Sequence, residues 1–320
     1  MNDMKIIGFG HYVPKTIKYN DDFKTIVETS DEWIKSRTGI SKRHLTDDEN
    51  TSDIASKAAL MAMEDAGVSA DDIDLVVCAT ITPDSFTPST ASKILKLLGI
   101  KRAMAFDISA ACSGFIYAMN TASAILTANN LRRAIVIGAE TLSKIVDYTD
   151  RSTCVLFGDG AGAVVIEATE NKSVFYCMSK TDEENILYAN ALKPQGVFKG
   201  GLIDDYHLKM NGQKVFKFAI EAVNDAINSA LNTAGLTIND IDLIIPHQAN
   251  ERIIAAVCRH WNLDFNRFYL NISEYGNTSA ASIAIALSEA HHKKVIGKGN
   301  RVMLVGFGAG LTWASMIIEL

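Results

Sequence analysis

The chain of 320 residues repeats itself at a fixed spacing, and this duplication restricts its fold more than any other feature. Asp72–Val77 reappears as Asp240–Ile245, and Arg133–Gly138 reappears as Arg301–Gly306. Both pairs are separated by 168 positions, because 240 − 72 and 301 − 133 are equal. A constant offset of this kind indicates a duplicated structural unit.

The duplicated unit alternates short apolar strands with helices, which predicts an α/β fold with mostly parallel sheets between helix layers. Two domains are expected, residues 1–170 and residues 171–320. The predicted strands are Lys5–Gly10, Ile73–Thr80, Ala103–Ile108, Ala134–Gly138 and Leu243–Ile245. The predicted helices are Asp53–Ala66, Ser89–Leu98, Phe115–Ala128, Val215–Ala234 and a short one that begins at Asp31 and is closed by Gly39.

Composition excludes several classes of protein. The formal net charge of −6 argues against a broad nucleic-acid surface, so any anionic ligand needs a local basic patch. Five scattered cysteines without a C-x-x-C spacing argue against a disulfide framework or a structural zinc site. No signal peptide and no membrane-spanning apolar run is recognisable. These features predict a soluble cytoplasmic protein that carries no metal.

Cys112 occupies a position that suits a nucleophile. It lies between the strand Ala103–Ile108 and the helix Phe115–Ala128, flanked by Ala, Ser and Gly. Free N–H groups and the helix dipole near a first turn favour thiolate over thiol. The alternative for such a residue is a small buried core cysteine.

The repeat brings His247 and Asn277 into the same argument. His247 follows the strand Leu243–Ile245, and ligands of open α/β sheets bind at the carboxyl ends of strands. Asn277 is the counterpart of Ser109, just ahead of Cys112. The alternatives are a hydrogen-bonded loop histidine and a helix-capping asparagine.

The chain has two glycine-rich segments, and the sequence predicts a different role for each. Phe157–Ala163 is followed by an apolar strand and not by a helix, so close backbone packing is expected there and not a phosphate loop. Gly306–Trp313 could aim a backbone N–H at an oxyanion, or it could be a simple turn between strands. Lys180–Leu208 has no periodicity and no duplicate, which favours an insertion near a substrate entrance.

These residues resemble the family of β-ketoacyl-acyl carrier protein synthase III, the initiating condensing enzymes of type II fatty acid synthesis in the thiolase-like superfamily. The resemblance extends over essentially the whole chain in the family's order. The matching motifs are Thr29–Ile34, Arg37–Ile40, Ala110–Gly114, Thr149–Arg151, Phe157–Ala163, Pro246–Asn250, Gly276–Ser282 and Gly306–Trp313.

The resemblance implies a thiolase-like five-layer αβαβα fold, a homodimer and a two-stage reaction. Cys112 takes the acyl group of a short acyl-CoA, and malonyl-acyl carrier protein then loses CO₂ and attacks the acyl-cysteine. His247 and Asn277 would stabilise the enolate oxygen, and the N–H groups of Cys112 and Ala309 would form the oxyanion hole. Acyl-CoA and malonyl-acyl carrier protein are substrates, so no cofactor is expected.

The resemblance also assigns binding residues. Trp33 and Arg151 would sandwich the adenine of CoA, and Arg37 would meet phosphate. Further residues at matching CoA positions are Gly212 and Asn250. The acidic carrier protein would need a basic patch, whose candidate residues are Lys214, Lys217, Arg252 and Arg259. Phe86 and Thr87 lie in a loop that reaches the partner's acyl pocket in relatives, where many have Phe at the position of Thr87.

Three alternatives to an initiating condensing enzyme were compared with the sequence. The chain could be a pathway-specific relative that uses other acyl primers or acceptors, and the longer plant-type polyketide synthases share its Cys, His and Asn. Degradative thiolases have a second Cys in place of Asn277. A non-catalytic acyl-binding subunit would not need Cys112, His247 and Asn277 together.

Overall fold

The computed structural model describes residues 2–198, 200–202 and 205–320. The helices within these ranges are α1 (Asp31–Thr38), α2 (Thr51–Ala66), α3 (Thr90–Leu98), α4 (Gly114–Asn129), α5 (Arg151–Cys154), α6 (Gly212–Ala234), α7 (Glu251–Trp261), α8 (Ile272–Tyr275) and α9 (Ala281–His292). The strands are β1 (Asn2–Tyr12), β2 (Thr16–Tyr19), β3 (Lys42–Leu45), β4 (Leu75–Ala79), β5 (Met104–Ile108), β6 (Arg133–Glu140), β7 (Gly160–Ser179), β8 (Leu187–Tyr188), β9 (Lys193–Pro194), β10 (Gly201–Leu202), β11 (Lys209–Met210), β12 (Leu243–Pro246), β13 (Arg301–Gly308) and β14 (Thr312–Glu319).

The duplication is visible in the local structure. Helices α2 and α6 end at Gly67 and Gly235, which are 168 residues apart and adopt left-handed φ angles of 64° and 66°. Glycine tolerates this conformation without a steric penalty, which is why both helices stop there. Strands β4 and β12, and likewise β6 and β13, also start 168 residues apart.

The sheet is mixed, so the expectation of mostly parallel sheets is wrong. β6 runs parallel to β4, and β12 runs parallel to β13, but β7 is antiparallel to β6, β1 and β14. Alternating strands and helices predict parallel neighbours, but β13 and β14 are joined without a helix. The three residues between them reverse the chain and make the pair antiparallel. The long strand β7 contains residue 170, and the division there into two domains stays a prediction.

Helices and sheet form five layers. On β4, Leu75 and Val77 face the central helices α4 and α9, whereas Val76 faces α2 and α3. On β13, Leu304 faces the central helices and Met303 faces α6 and α7. This period-two alternation is that of strands covered on both faces. The expected five-layer α/β fold is confirmed.

Glycines in the 157–163 segment allow close packing, as the sequence predicted. Gly162 lies on β7, and a Cβ there would come within 2.4 Å of the backbone of Ala284 on α9. Gly138 on β6 lies equally close to Ala280, whose carbonyl oxygen would be 2.2 Å from an added Cβ. The glycines therefore seat α9 directly on the sheet.

The non-repeated segment 180–208 contains the short two-residue strands β8, β9 and β10. Leu187 and Leu208 contribute to the wall of the cavity described below, in agreement with an insertion near an entrance. Residues 199, 203 and 204 of this segment lie outside the described residues. Among the helices of the described chain, none has both the length and the apolar character needed to cross a membrane.

Candidate active site

Cys112, His247 and Asn277 line one narrow cavity of about 120 Å³ between the two repeats. The walls are apolar and come from both halves, including Phe157, Leu208, Val215 and Phe307. The residues singled out in the sequence are thus brought together by the fold. An apolar, enclosed wall strengthens hydrogen bonds and charges within the cavity because water cannot screen them.

Cys112 lies in a 3₁₀ turn, Ala111–Ser113, and helix α4 begins only at Gly114. The residue before it, Ala111, has an unusual left-handed φ of 44° that turns the chain between β5 and α4. The thiol donates to Ser279 Oγ at 3.4 Å. Burial raises the pKa of Cys112 to about 12. The expectation that this position favours thiolate is therefore wrong for the free enzyme, because burial outweighs the first turn of a helix.

His247 immediately follows β12, at the strand end where the sequence placed it. Its Nδ1 lies 2.6 Å from Ser282 Oγ, and the N–H of Gln248 donates to the same oxygen at 3.4 Å. When Nδ1 accepts from the Ser282 hydroxyl, the neutral ring carries its proton on Nε2. Burial lowers the pKa of His247 to about 3, so the ring is neutral at neutral pH. Phe307 packs edge-on against the ring at 5.3 Å.

Asn277 does not cap a helix, since α9 begins four residues later with Ala280 as its N-cap. Its backbone bridges to Phe157, which ties the loop to the segment before β7. Its Oδ1 accepts the N–H of Ser279 at 2.9 Å. The side-chain oxygen is thereby occupied, and the Nδ2 donor is left for the cavity.

Ala309 lies in the turn between β13 and β14 and contributes to the cavity wall. The preceding residue, Gly308, packs against Cys112 so closely that a Cβ would be 2.7 Å from the Cys112 nitrogen. The turn and Cys112 are therefore adjacent. The loop is a turn between strands that also borders the cavity, and its role as an oxyanion donor stays a prediction.

The CoA-binding candidates Arg37 and Asn250 meet at one end of the cavity, called the mouth below, where Asn250 Nδ2 donates to the Arg37 carbonyl oxygen at 3.0 Å. The guanidinium carbons of Arg37 and Arg151 lie 5.0 and 4.8 Å from the Trp33 ring centre. Arg151 thus stacks directly on Trp33, and an adenine could enter between them only if Arg151 moved. Gly212 and Asn250 line the cavity, and the Asn250 side chain also caps α7 by accepting from the N–H of Arg252.

The four basic candidates are exposed, and Lys214 lies in the chain between the cavity-lining residues Gly212 and Val215. Lys214 pairs with Glu184, whereas Lys217 carries no ion pair among the described residues. Arg252 lies 5.9 Å from the ring of Phe216, which lines the cavity. Arg259 lies two helical turns further along α7, on the same face.

Phe86 and Thr87 do not line the cavity of their own chain. The Phe86 side chain is 79% exposed, and the loop continues into α3.

Three functional candidates were not identified from the sequence: Ser279, Ser282 and Glu140. Ser279 contacts the Cys112 thiol, Ser282 contacts His247, and Glu140 is buried nearby with no exposure. The two serines belong to the Gly276–Ser282 motif, so their position in it was the available signal. Glu140 ends an apolar strand, and its charge at that position was the only feature of the sequence that could have indicated a functional role.

Metal-ligating side chains gather elsewhere in the described part of the chain. Asp65, His291 and His292 place one ligand atom each within 4.8 Å of one another. None of the three lines the cavity of Cys112.

The sheet has two similar halves, joined through the long strand β7, and they enclose the central helices α4 and α9. This arrangement, with a buried Cys, His and Asn between the repeats, defines the thiolase-like class. A family model described as 3-oxoacyl-[acyl-carrier-protein (ACP)] synthase III matches residues 106–183. The model for the C-terminal part of the same synthase matches residues 231–320.

Similar proteins cover the full chain. A β-ketoacyl-[acyl-carrier-protein] synthase III of Clostridium acetobutylicum is 45% identical, covering 100% of this chain and 99% of the relative. The one from Clostridium perfringens is 46% identical, with complete coverage of both. The crystal structure of 3-oxoacyl-[acyl-carrier-protein] synthase III from Aquifex aeolicus aligns with a TM-score of 0.92 at 41% identity, covering 99% and 100% of the two chains.

The chain belongs to the 3-oxoacyl-[acyl-carrier-protein] synthase III family, the initiating condensing enzymes of fatty acid synthesis. The resemblance noted from its motifs is thereby confirmed.

Proposed function

We propose that this enzyme stores a short acyl group on Cys112 and condenses it with malonyl-acyl carrier protein in the cavity between the repeats. The observation that carries the proposal is the convergence of Cys112, His247 and Asn277 on one apolar cavity. Splitting the reaction at a covalent thioester replaces one difficult step with two easier ones. The product is β-ketoacyl-acyl carrier protein, with CO₂ and CoA released.

In the first stage, the sulfur of Cys112 attacks the thioester carbon of acyl-CoA, and the carbonyl oxygen gains negative charge. The backbone N–H groups of Cys112 and Ala309 are the proposed donors to that oxygen. The close contact of Gly308 with Cys112 supports this, because it brings the two backbone segments side by side. The side chain of Ala309 does not affect this role, because the donor is the backbone N–H.

In the second stage, malonyl-acyl carrier protein loses CO₂ and its thioester becomes an enolate. His247 Nε2–H and Asn277 Nδ2–H are the proposed donors to the enolate oxygen. Both groups are neutral. The other ring nitrogen of His247, Nδ1, contacts Ser282 Oγ, and the amide oxygen of Asn277, Oδ1, accepts the N–H of Ser279. Each such donor is typically worth about 3–4 kcal/mol in the transition state.

The CoA nucleotide is proposed to bind at the mouth, with its adenine between Trp33 and Arg151. Arg151 is held there by Trp33 and by the carbonyl of Glu28, to which it donates at 2.9 Å. The incoming adenine would replace this stacking with a similar one, so the exchange costs little. Arg37 is proposed to meet phosphate, and Gly212 and Asn250 to border the pantetheine path.

The acidic carrier protein is proposed to dock on the basic group Lys214, Lys217, Arg252 and Arg259. Its pantetheine arm must reach Cys112 through the mouth, and two of these residues adjoin the cavity wall: Arg252 at the Phe216 ring, and Lys214 between Gly212 and Val215. The overall charge of −6 makes a local attraction necessary.

A homodimer is proposed, with Phe86 and Thr87 of one chain reaching the acyl pocket of the other. The 79% exposure of Phe86 supports this, as does the edge strand β5, which pairs with β4 on one side only among the described strands. The proposed location is the cytoplasm, where both substrates are available and the five free cysteines stay reduced.

A pathway-specific primer is the second candidate. The priming β-ketosynthase of the R1128 polyketide pathway aligns with a TM-score of 0.90 at 32% identity. The lower identity, compared with 45% for the fatty acid synthases, favours the first candidate.

The test is intact-mass analysis after incubation with acetyl-, isobutyryl- or longer acyl-CoA. An acyl adduct should form on Cys112 and be discharged to a β-keto product by malonyl-acyl carrier protein. Cys112→Ser should form no adduct, whereas His247→Ala and Asn277→Ala should acylate but fail to condense. Discharge only by another acceptor would favour the pathway-specific relative. Folded protein that forms no adduct with any acyl-CoA would overturn both.

A further inference from the structure

A buried carboxylate lies behind the nucleophile. Glu140 is the last residue of β6, and its side chain has no exposure to solvent. It accepts from the hydroxyls of Thr80 and Thr82 at 3.1 and 2.7 Å and from the N–H groups of Ile81 and Thr82 at 3.1 Å. Within the described chain, no lysine, arginine or histidine pairs with it.

This carboxylate is held by neutral donors alone, which is an unusual way to bury a negative charge. A buried charge without a counter-ion is costly and is often retained for function. Burial raises the pKa of Glu140 to about 7, although the surrounding hydroxyls and N–H groups oppose that rise. The group can therefore hold or release a proton near neutral pH.

Ser279 connects the carboxylate to the nucleophile. The Cys112 thiol donates to Ser279 Oγ at 3.4 Å. Ser279 also lies close enough to Glu140 for its hydroxyl to lower the pKa of that carboxyl, against the rise caused by burial. Its left-handed φ of 48° and the bond from its N–H to Asn277 Oδ1 hold Ser279 in this position. Donor and acceptor thus alternate from thiol to hydroxyl to carboxylate.

We propose that Glu140, acting through Ser279, accepts the thiol proton of Cys112 during acylation and returns it when the product leaves. This inference rests on the proposed acyl-Cys112 intermediate. Neither Glu140 nor Ser279 touches the substrate. Both act on Cys112, Ser279 by passing the proton on and Glu140 by holding it.

The protons balance over both stages. In acylation, the Cys112 S–H bond breaks, its proton moves through Ser279 to Glu140, and the new sulfur–acyl bond forms as CoA leaves as a thiolate that water protonates. In condensation, decarboxylation supplies the enolate, whose carbon attacks the acyl carbon. The sulfur–acyl bond then breaks, and the Cys112 thiolate takes back the proton held by Glu140. Glu140 is therefore neutral while the acyl group is stored and becomes a carboxylate again when the Cys112 thiol is restored.

Neighbouring titratable groups do not fit this role. His247 is a weak proton acceptor, since burial lowers its pKa to about 3 and its Nδ1 is bound to Ser282. The charge of Glu140 also acts on the buried Cys78 of β4, whose pKa is raised by burial and by Asp107, Glu140 and Asp84. Cys78 is a thiol and cannot replace the carboxylate at neutral pH.

The experiment is single-turnover acylation by acetyl-CoA from pH 5.5 to 9.5, followed by intact mass. The wild-type rate should rise with pH, with a midpoint near 7, and then level off. Glu140→Gln should acylate at least 100-fold more slowly at pH 7 and then accelerate steadily with pH, as hydroxide takes the thiol proton. Ser279→Ala should show the same altered profile, and it carries the test if Glu140→Gln does not fold.

Asp159→Asn is the matched control. Asp159 is also a fully buried carboxylate, bonded to Ser143 and Thr46, but it does not contact Cys112. This variant should keep the midpoint near 7. A Glu140→Gln enzyme that keeps that midpoint, or is slowed equally at every pH, would overturn the relay. Failure of the wild-type protein to acylate would instead refute the proposed function.

Discussion

Ala111 and Ser279 are 168 residues apart and share the left-handed backbone, with φ angles of 44° and 48°. They are equivalent residues of the two repeats, and both lie at the cavity. A non-glycine residue in this conformation costs about 1 kcal/mol, so each must be held by its surroundings. Ser279 uses the conformation to contact Cys112, and Ala111 uses it to turn the chain into Cys112.

The first prediction concerns this strain. Ala111→Gly should leave the free energy of unfolding within about 1 kcal/mol of wild type, because relief of strain offsets the greater freedom of the unfolded glycine. Ala122→Gly, in the fully buried interior of α4, should cost about 1 kcal/mol or more. Urea denaturation measures both. Equal losses in the two variants would show that Ala111 is not strained.

The second prediction concerns the His247 tautomer. Ser282→Ala removes the hydroxyl that donates to Nδ1, so the imidazole proton is no longer confined to Nε2. Condensation should slow by about 10- to 100-fold, as expected for a lost buried hydrogen bond of about 1–3 kcal/mol, while acylation of Cys112 is retained. Separate measurements of the acylation burst and of steady-state condensation distinguish the two stages.

Helix α9 offers a matched control for that variant. Ser288 lies on the same helix and contacts His11 Nδ1 at 2.9 Å, away from the cavity. Ser288→Ala should lose comparable stability and keep both activities. Equal loss of condensation in the two variants would contradict a specific role for Ser282.

The sequence predicted what depends on repeats and motifs, and it missed what depends on three-dimensional burial. Cys112, His247 and Asn277 were found because the repeat aligns them at strand and helix ends. The predicted protonation state of Cys112 was wrong because the residues that bury its thiol lie far away in the chain. Glu140 was missed because its link to Cys112 passes through Ser279, which is 139 positions further along the sequence (279 − 140).

The third prediction concerns pH and stability. The pKa of Glu140 is raised to about 7 in the fold, so its contribution to stability is full below the unfolded value of 4.5 and is lost as pH rises through 7. The pKa of His247 is lowered to about 3, so its contribution is full above 6.5 and is lost as pH falls through 3. Between pH 4.5 and 6.5 the two effects oppose each other.

Single variants should therefore separate the two groups. On acidification from pH 6.5 to 4.5, Glu140→Gln should lose roughly 2–3 kcal/mol more than wild type, and His247→Gln should lose less than wild type. Chemical denaturation at several pH values measures these slopes. Parallel slopes in all three proteins would contradict the assigned directions.

The fourth prediction concerns the carrier protein. Lys217→Glu reverses an exposed charge of the proposed docking group and should raise the KM for malonyl-acyl carrier protein several-fold, with a smaller effect at high salt. Acylation by acyl-CoA should change little. Lys298→Glu, exposed in the loop before β13, is the control of equal charge change. The same KM increase in both would indicate a general charge effect and not a docking site.

The fifth prediction concerns the contact between Gly308 and Cys112. A methyl group at position 308 would lie 2.7 Å from the backbone nitrogen of Cys112. Because a backbone atom cannot rotate away as a flexible side chain can, either Cys112 or the Ala309 turn must shift. Displacing a proposed oxyanion donor by even a fraction of an ångström weakens its bond at the transition state, and Gly308→Ala should acylate about 10-fold or more slowly. Gly297→Ala is the matched control, because a Cβ there meets no atom within 4 Å. Single-turnover acylation and thermal unfolding should be measured together, since an acylation rate unchanged in folded Gly308→Ala would show that the turn does not position the nucleophile.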